Sequence, residues 1–323
     1  MASQLNISGA TSGNYIKLDN QILDVWAQEI LFTAAPVLKF LSIARKQTEL
    51  MKLPGQKIKF LRYAPLTGKS DIAETATVET TTMSTSTTDI TVSEHVKAVA
   101  VNELLLKTSQ DATLDRAATL LGMHYAEDVD RMVRDALLTT SNVVWAGGNA
   151  SRASLDAADY MDTNCIRDAV EMLATKKAPK FGGDAYLCFV HPHQGRRLRQ
   201  DPNWLTWSSY SAPEQIFNGE IGRIEDVRFI ETTFCTMIKK TTQDIWADST
   251  DTGDNTSIAA NAATDVYQSI VIGDWAVGFA EALPVEMRDN GVVDFGREHD
   301  LAYYHISGAG LIEANHSLVI ESA

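Results

Sequence analysis

The sequence predicts an α+β chain, and three observations carry that prediction. One long amphipathic helix is expected over residues 113–138, two alternating strands frame a threonine-rich excursion before it, and a helix-to-strand step begins near residue 160. In the helix, Leu114, Ala118, Leu121, Tyr125, Val129, Met132, Ala136 and Leu137 recur at steps of three or four and so share a face. The opposite face is charged: Glu127 with Arg131, and Asp130 with Arg134, are four-residue acid-to-base pairs in the supporting orientation. At about 1.5 Å per residue the helix spans roughly 40 Å, beyond the ordinary globular length, which makes it a strut as well as a core element.

The chain has 323 residues, enough for a real core and for two or three lobes. Hydrophobic residues at 45% and charged residues at 22% are ordinary for a globular protein. A formal charge of -14 argues against a surface that grips phosphates by counterion release. The three cysteines, Cys165, Cys188 and Cys235, have neither metal-ligand spacing nor a disulfide framework and fit a reducing compartment. Residues 1–14 have no basic region followed by an apolar core, so no signal peptide is read, and no apolar run is long enough to span a membrane. These features predict a chain made and kept in cytoplasm.

Taken in order, residues 1–18 are rich in Ser, Gly, Asn and Thr and read as a flexible arm. Asp19 or Asn20 is placed to cap a helix with an Ile22, Trp26, Ile30 stripe, and a second short apolar segment follows Pro36. Neither is a domain alone, so this arm must lie along something else. Residues 56–63 alternate as a strand, with Ile58 and Phe60 on one face and Lys57 and Lys59 on the other; residues 89–101 are its counterpart. The polar, threonine-rich stretch 64–88 joins them, giving an extended arm with little core of its own. It reads either as a mobile surface loop or as an arm ordered by a neighbouring subunit.

After the long helix, residues 139–159 are a loop in which Gly147 and Gly148 mark a plain turn, since no Lys-Ser/Thr pair follows to make a phosphate loop. Residues 163–177 predict a helix burying Ile166, Val170 and Leu173, and 185–190 a buried strand. Pro192 opens a short helix that Pro202 closes. A turn at residues 219–224 precedes a strand over 227–230, and residues 241–264 are a polar surface loop. Residues 266–279, 302–305 and 318–320 are further strands, with glycines at 273, 278, 308 and 310 punctuating them.

The candidate chemistry is sparse. His191 and His193 are the best-placed metal-ligand pair, but no third or fourth ligand accompanies them, and Pro192 at a helix start explains their spacing. Cys165 at a helix start is a candidate nucleophile, with the small buried hydrophobe as its ordinary role. Arg196, Arg197 and Arg199 form the densest positive cluster, suited to phosphate or to pairing with the abundant carboxylates. No serine elbow, Walker motif or dinucleotide fingerprint occurs, so no catalytic residue, cofactor or metal site is assigned and the chain reads as something other than an enzyme.

The order of parts carries a resemblance. Residues 55–62, Glu94-His95-Val96-Lys97-Ala98-Val99-Ala100-Val101, Glu127-Asp128-Val129-Asp130, His191-Pro192 with Leu198, Arg199, Asp201 and Trp204, Gly219-Glu220-Ile221-Gly222, and the tail from Val293 to Ile320 occur in the expected order. Together they resemble the major capsid proteins of tailed bacteriophages, specifically the phage N4 type, which have the HK-97-like fold. The resemblance implies an amino-terminal arm over 1–51, an extended loop over 52–104, a peripheral domain with the spine helix over 105–159, an axial α/β domain over 160–284 with an inserted loop at 241–264, and returning strands over 285–323. It further implies assembly as hexamers and pentamers into an icosahedral head that encloses double-stranded DNA without sequence-specific binding, with a portal and scaffolding or decoration proteins as partners and no membrane. Localisation would be the virion, after assembly in the host cytoplasm. The intersubunit residues it points to are Lys57, Lys59, Arg62, Glu94, Lys97, Arg196, Arg197, Arg199, Trp26 and Trp204. The charged helix face at Glu127, Asp128, Asp130, Arg131 and Arg134 is then either solvated or part of contacts along the shell interior. An encapsulin-like compartment shell holding protein cargo shares the fold and is the alternative; a soluble α/β enzyme using His191 and Cys165 is the other.

Overall fold

The computed structural model describes residues 39–48, 55–63, 80, 82–109, 113–202, 204, 220–238, 245–246, 264–294 and 297–323. In chain order the elements are β1 (Arg45–Gln47), β2 (Lys57–Tyr63), β3 (Thr85–Thr91), β4 (Ser93–Asn102), α1 (Glu103–Thr108), α2 (Thr113–Leu138), β5 (Val143–Trp145), α3 (Thr163–Thr175), β6 (Tyr186–Val190) and α4 (Pro192–Leu198). They continue with β7 (Glu220–Ile224), β8 (Val227–Glu231), β9 (Met237–Ile238), β10 (Ile245–Trp246), β11 (Val266–Ile272), β12 (Val277–Val293), β13 (Glu298–Leu311) and β14 (Ser317–Ser322). The mixture is the expected α+β class. The predicted helix at 19–30 and the inserted loop at 241–264, apart from Ile245, Trp246 and Thr264, lie outside the described residues.

Contacts group the chain into two units, of which the first comprises, among the described residues, 94–109, 113–125, 285–294 and 297–305. Its interior sets aromatic rings beside the buried Val101, Ala117 and Leu121. Tyr303 and His305 are buried, the Tyr125 ring meets His305 edge-on at 4.9 Å, and His95 stacks on His305 at 5.0 Å. The His124 Nδ1 lies 2.9 Å from the Tyr303 hydroxyl. Asn102 caps α1 by accepting the Leu104 N–H at 2.9 Å, satisfying one of the orphan amides of a helix start.

The second unit comprises, among the described residues, 39–48, 55–63, 80, 82–93, 126–202, 204, 220–238, 245–246, 264–284 and 306–323, and holds an eight-stranded mixed sheet. Its strands run in the order β10-β9-β11-β6-β8-β7, with β14 along the other edge of β11 and β5 beyond β14. β6 and β8 are parallel, in register Tyr186↔Val227 to Val190↔Glu231, with α4 lying between them in sequence. The run 186–190 is apolar without alternation because it is an interior strand of the sheet, with β11 on one edge and β8 on the other. α3 covers this sheet with Cys165, Ile166, Ala169 and Leu173 buried, while Val170 is only half-buried at the margin of the same stripe. Its amino terminus is doubly secured: Asp162 accepts the Cys165 N–H at 2.9 Å, and Asp201 accepts both the Thr163 N–H at 2.9 Å and its hydroxyl at 2.6 Å.

α2 covers the span expected from its periodicity. Leu121, Val129, Ala136 and Leu137 are buried as the stripe requires, and Ala118, Tyr125 and Met132 are half-buried. The charged face differs from a solvated one: Asp130 and Arg134 are 0% and 3% exposed. Arg134 donates to Asp135 at 2.8 Å and to the Phe234 carbonyl at 3.2 Å, so its charge is satisfied inside the fold.

The strand expected over 89–101 is in fact two strands in different sheets. β3 pairs antiparallel with β2, from Lys57↔Thr91 to Tyr63↔Thr85, whereas β4 forms the edge of a four-stranded sheet ordered β1-β12-β13-β4. The switch falls at Val92, whose N–H donates to the Gln56 carbonyl at 3.0 Å. Residues 85–88, counted with the polar loop from composition, are strand, in keeping with the preference of β-branched threonine for a pleated surface.

Candidate assembly surfaces

The β2–β3 hairpin is rooted on its own chain. Ile58, Ile90 and Val92 are buried together with Ala280, and Phe60, Ala282 and Ile306 pack against them. Glycines on β12 and β13 make this seat. A Cβ at Gly278 would lie 2.9 Å from Ile90 Cδ1 and 3.0 Å from both Ile312 and Phe60, and one at Gly308 would lie 2.2 Å from the Thr91 carbonyl oxygen. Arg62 pairs with the buried carboxylate of Glu313, and the Thr88 hydroxyl donates to the Ile312 carbonyl at 3.3 Å. The expectation of an arm with little core therefore fails at the root, and residues 64–79 of that arm lie outside the described residues. Among the described residues beyond the root, Leu61 and Tyr63 are each 56% exposed and Met83 is 68% exposed. In the first unit Val96, Leu104 and Leu120 are likewise exposed.

The proposed intersubunit residues fall into three groups. Lys57, Lys59 and Arg62 on β2, and Glu94 and Lys97 on β4, are exposed. Arg196 is exposed, Arg197 stacks over the Tyr160 ring at 3.9 Å, and Arg199 is paired with Glu231 of its own chain. Trp204 is a core residue: its indole is 4% exposed, meets Phe229 edge-on at 5.3 Å and sits where a Cβ on Gly222 would come within 3.1 Å. Trp26 lies outside the described residues.

The candidate chemistry resolves into structure. His191 is the N-cap of α4, its Nδ1 accepting the His193 N–H at 3.2 Å, and both rings pack on Tyr267 at 4.9 and 4.4 Å. Burial, helped by the neighbouring His193, depresses the His191 pKa to about 4. Cys165 is buried under α3, and burial with the Asp162 carboxyl pushes its thiol up to about 12, the opposite of an activated nucleophile. Gly147 and Gly148 both have φ of 71°, and a Cβ on Gly147 would overlap the Asp159 carboxylate, so the pair is a turn that only glycine makes easily.

The sequence reading missed the polar ties that bury charge. Glu321, 0% exposed on β14, accepts from Arg152, from the Trp145 indole at 3.0 Å and from Gln268 at 2.9 Å. Elsewhere on the sheet, the β7–β8 turn uses Glu225 and Asp226 at φ of 45° and 67°. It is braced by Arg223 and Arg228 on Asp184 at 2.9 and 2.8 Å, and by Lys180 on Asp226 at 2.6 Å. Residue type shows that such charges exist; only the fold shows that their partners lie in the same chain.

A strut helix and a rooted hairpin whose described outer end offers unburied apolar side chains suit a structural subunit. The fold is shared with phage capsid structures. It matches the capsid of Ralstonia phage GP4 at 16% identity over 97% of this chain and 98% of the other, with a TM-score of 0.69. It matches the head of Helicobacter pylori bacteriophage KHP40 at 14% identity over 98% and 99%, with a TM-score of 0.69. It matches the Cyanophage Pam1 capsid at 14% identity over 99% of each chain, with a TM-score of 0.68. No curated protein matches at the level of sequence. The phage capsid protein family model matches residues 100–316, and the chain belongs to that family. It is thus a capsid protein, a structural component of a virion, with the HK-97-like α+β fold. Among the described residues, no helix is long and apolar enough to cross a membrane.

Proposed function

We propose that the chain is the major capsid protein of a tailed phage, of the N4 type, which assembles as hexamers and pentamers into an icosahedral head enclosing double-stranded DNA. The observation that carries this reading is the β2–β3 hairpin, rooted by Ile58, Ile90 and the Arg62–Glu313 pair yet exposing Leu61, Tyr63 and Met83 beyond the root. Apolar groups on a stiff two-stranded projection gain burial from another copy, and many equivalent contacts add up across a closed shell. In this reading residues 1–51 are the arm, 52–104 the extended loop, 105–159 the peripheral domain with its spine, 160–284 the axial domain and 285–323 the returning strands. Lys57, Lys59, Glu94, Lys97 and Arg196 face neighbouring subunits, while Arg62 serves the root through Glu313. A portal and scaffolding or decoration proteins complete the head, which forms in the host cytoplasm. A net charge of -14 suits a container that packs DNA without binding it tightly.

The test is light scattering and negative-stain microscopy of the expressed chain beside a Leu61→Glu, Met83→Glu double variant. The wild type is expected to form particles of megadalton mass; the variant is expected to keep its circular dichroism and remain unassembled. Particles of unchanged size and yield from the variant would remove the hairpin from the assembly contacts.

A further inference from the structure

Asp130 is buried on a face of α2 that periodicity assigns to solvent, and it holds another part of the chain. Its Oδ1 accepts the Leu41 N–H at 2.8 Å and its Oδ2 the Lys39 N–H at 3.4 Å. Phe40, between those two amides, is 0% exposed and meets Phe189 of β6 at 4.4 Å between ring centroids. The Lys39 ammonium donates to the Glu231 carbonyl at the end of β8. A single turn of 3-10 helix, Leu41–Ile43, follows, and the chain then runs extended as β1 beside β12, in register Arg45↔Gly278 to Gln47↔Ala280. Arg45 adds a further tie, bridging both Asp274 oxygens at 3.0 and 3.1 Å while stacking over Trp275 at 4.2 Å.

Two of the elements that receive this segment do not need it for their own hydrogen bonding: β6 is paired on both edges, by β11 and β8, and α2 is bonded internally. What residues 39–41 supply there is a cover for one carboxylate and one aromatic face, while β1 adds an outer neighbour to β12. A dry carboxylate is costly unless main-chain donors reach it, and the amides at 39 and 41 are such donors. Burial holds the Asp130 carboxyl above its ordinary range even though the amides of Leu41, Lys39 and Phe40 and the nearby Arg134 charge pull it down.

We infer that Asp130, the Phe189 ring and the Glu231 carbonyl form a peptide receptor whose ligand is this chain's own Lys39-Phe40-Leu41, and that residues 39–47 are a latch fastening this segment to a lobe whose β6 and α2 are bonded without it. The ligand class is a turn presenting two main-chain N–H groups either side of an aromatic side chain, preceded by a lysine. Asp130 is the positioning residue, because its two oxygens hold both amides. The latch is independent of shell geometry and goes beyond the capsid reading.

Hydrogen exchange of the full-length chain tests it. In Phe40→Ala and in Asp130→Ala, exchange of a peptide covering residues 39–47 is expected to accelerate by about tenfold or more while peptides over β6 and β11 keep their protection. Asp130→Asn retains one acceptor oxygen and is expected to fall between Asp130→Ala and the wild type. A labelled synthetic peptide of residues 36–47 is expected to bind the Phe40→Ala chain saturably and to lose that binding when Asp130→Ala is added. Unchanged protection of 39–47 in Asp130→Ala, equal loosening of β6 and 39–47, or absence of saturable peptide binding would each overturn the latch.

Discussion

His191 caps α4 with an uncharged ring, and that makes one helix start sensitive to acid. The Nδ1 lone pair that accepts the His193 N–H is lost on protonation, and burial and the His193 charge hold the pKa down to about 4. A histidine whose folded pKa lies below its unfolded value of about 6.5 contributes fully above pH 6.5. As pH falls from there towards 4, the unfolded chain binds the proton first and stability is lost. The expected loss is on the order of 2 kcal/mol across that window, after discounting for the ring's partial exposure. His193, lowered by its own burial and by Arg197 and Arg196, steepens the slope in the same direction. Asparagine is also a good N-cap and does not titrate there, so His191→Asn is expected to flatten the pH dependence of the thermal midpoint between pH 6.5 and 4. Gly308 supports a second prediction at this scale. A Cβ there would lie 2.2 Å from the Thr91 carbonyl oxygen, a backbone atom that cannot swing aside, so Gly308→Ala is expected to cost about 3 kcal/mol in denaturant unfolding. A loss below about 0.5 kcal/mol would mean that the hairpin root is not seated as tightly as described.

Among the elements, α2 was the most legible, because a three-to-four-residue apolar recurrence over 26 residues leaves no other period to choose. Its charged face was not. Periodicity assigns every polar residue outward, yet Asp130 is turned inward by amides 89 and 91 residues away in sequence, a pairing that no local pattern encodes. The break at Val92 was hidden for a related reason: the alternation of 89–101 continues across it, and only the competition between β2 and β13 for pairing divides β3 from β4. The hairpin root was half readable, since Ile58 and Ile90 stand out by period while the glycines against which Ile90 and the Thr91 backbone pack lie far along the chain, at 278 and 308, and read as turn signals. Gly122 gives a prediction proper to the helix. It sits inside α2, and a Cβ added there would have nothing within 4 Å, so Gly122→Ala removes a helix-weakening residue without a clash. The unassembled chain is expected to gain about 1 kcal/mol, read as a raised thermal midpoint. A lowered midpoint would place a neighbouring element against that face of the helix.

For the whole molecule, net charge decides how copies associate. Each chain carries -14, so bringing many copies together sets like charge against like. Many of the basic groups that would offset this between subunits are engaged at home: Arg45 with Asp274, Arg62 with Glu313, Arg152 with Glu321, Arg167 with Glu225, Arg199 with Glu231, and Arg223 and Arg228 with Asp184. The exposed pairs among these add little to stability, whereas the buried Glu313 and Glu321 depend on their arginines; both kinds neutralise the arginines as seen by a neighbour. The apolar hairpin contact, in contrast, is insensitive or slightly favoured as salt rises. Raising ionic strength from about 0.1 M to about 1 M shortens the screening length from roughly 10 Å to roughly 3 Å and removes most of the repulsion. The subunit concentration at which half the chain is in particles, followed by light scattering, is therefore expected to fall as sodium chloride is raised over that range. A rise instead would mean that charge pairs between copies dominate the assembly energy, and the exposed Lys57, Lys59 and Lys97 would then be the first side chains to replace.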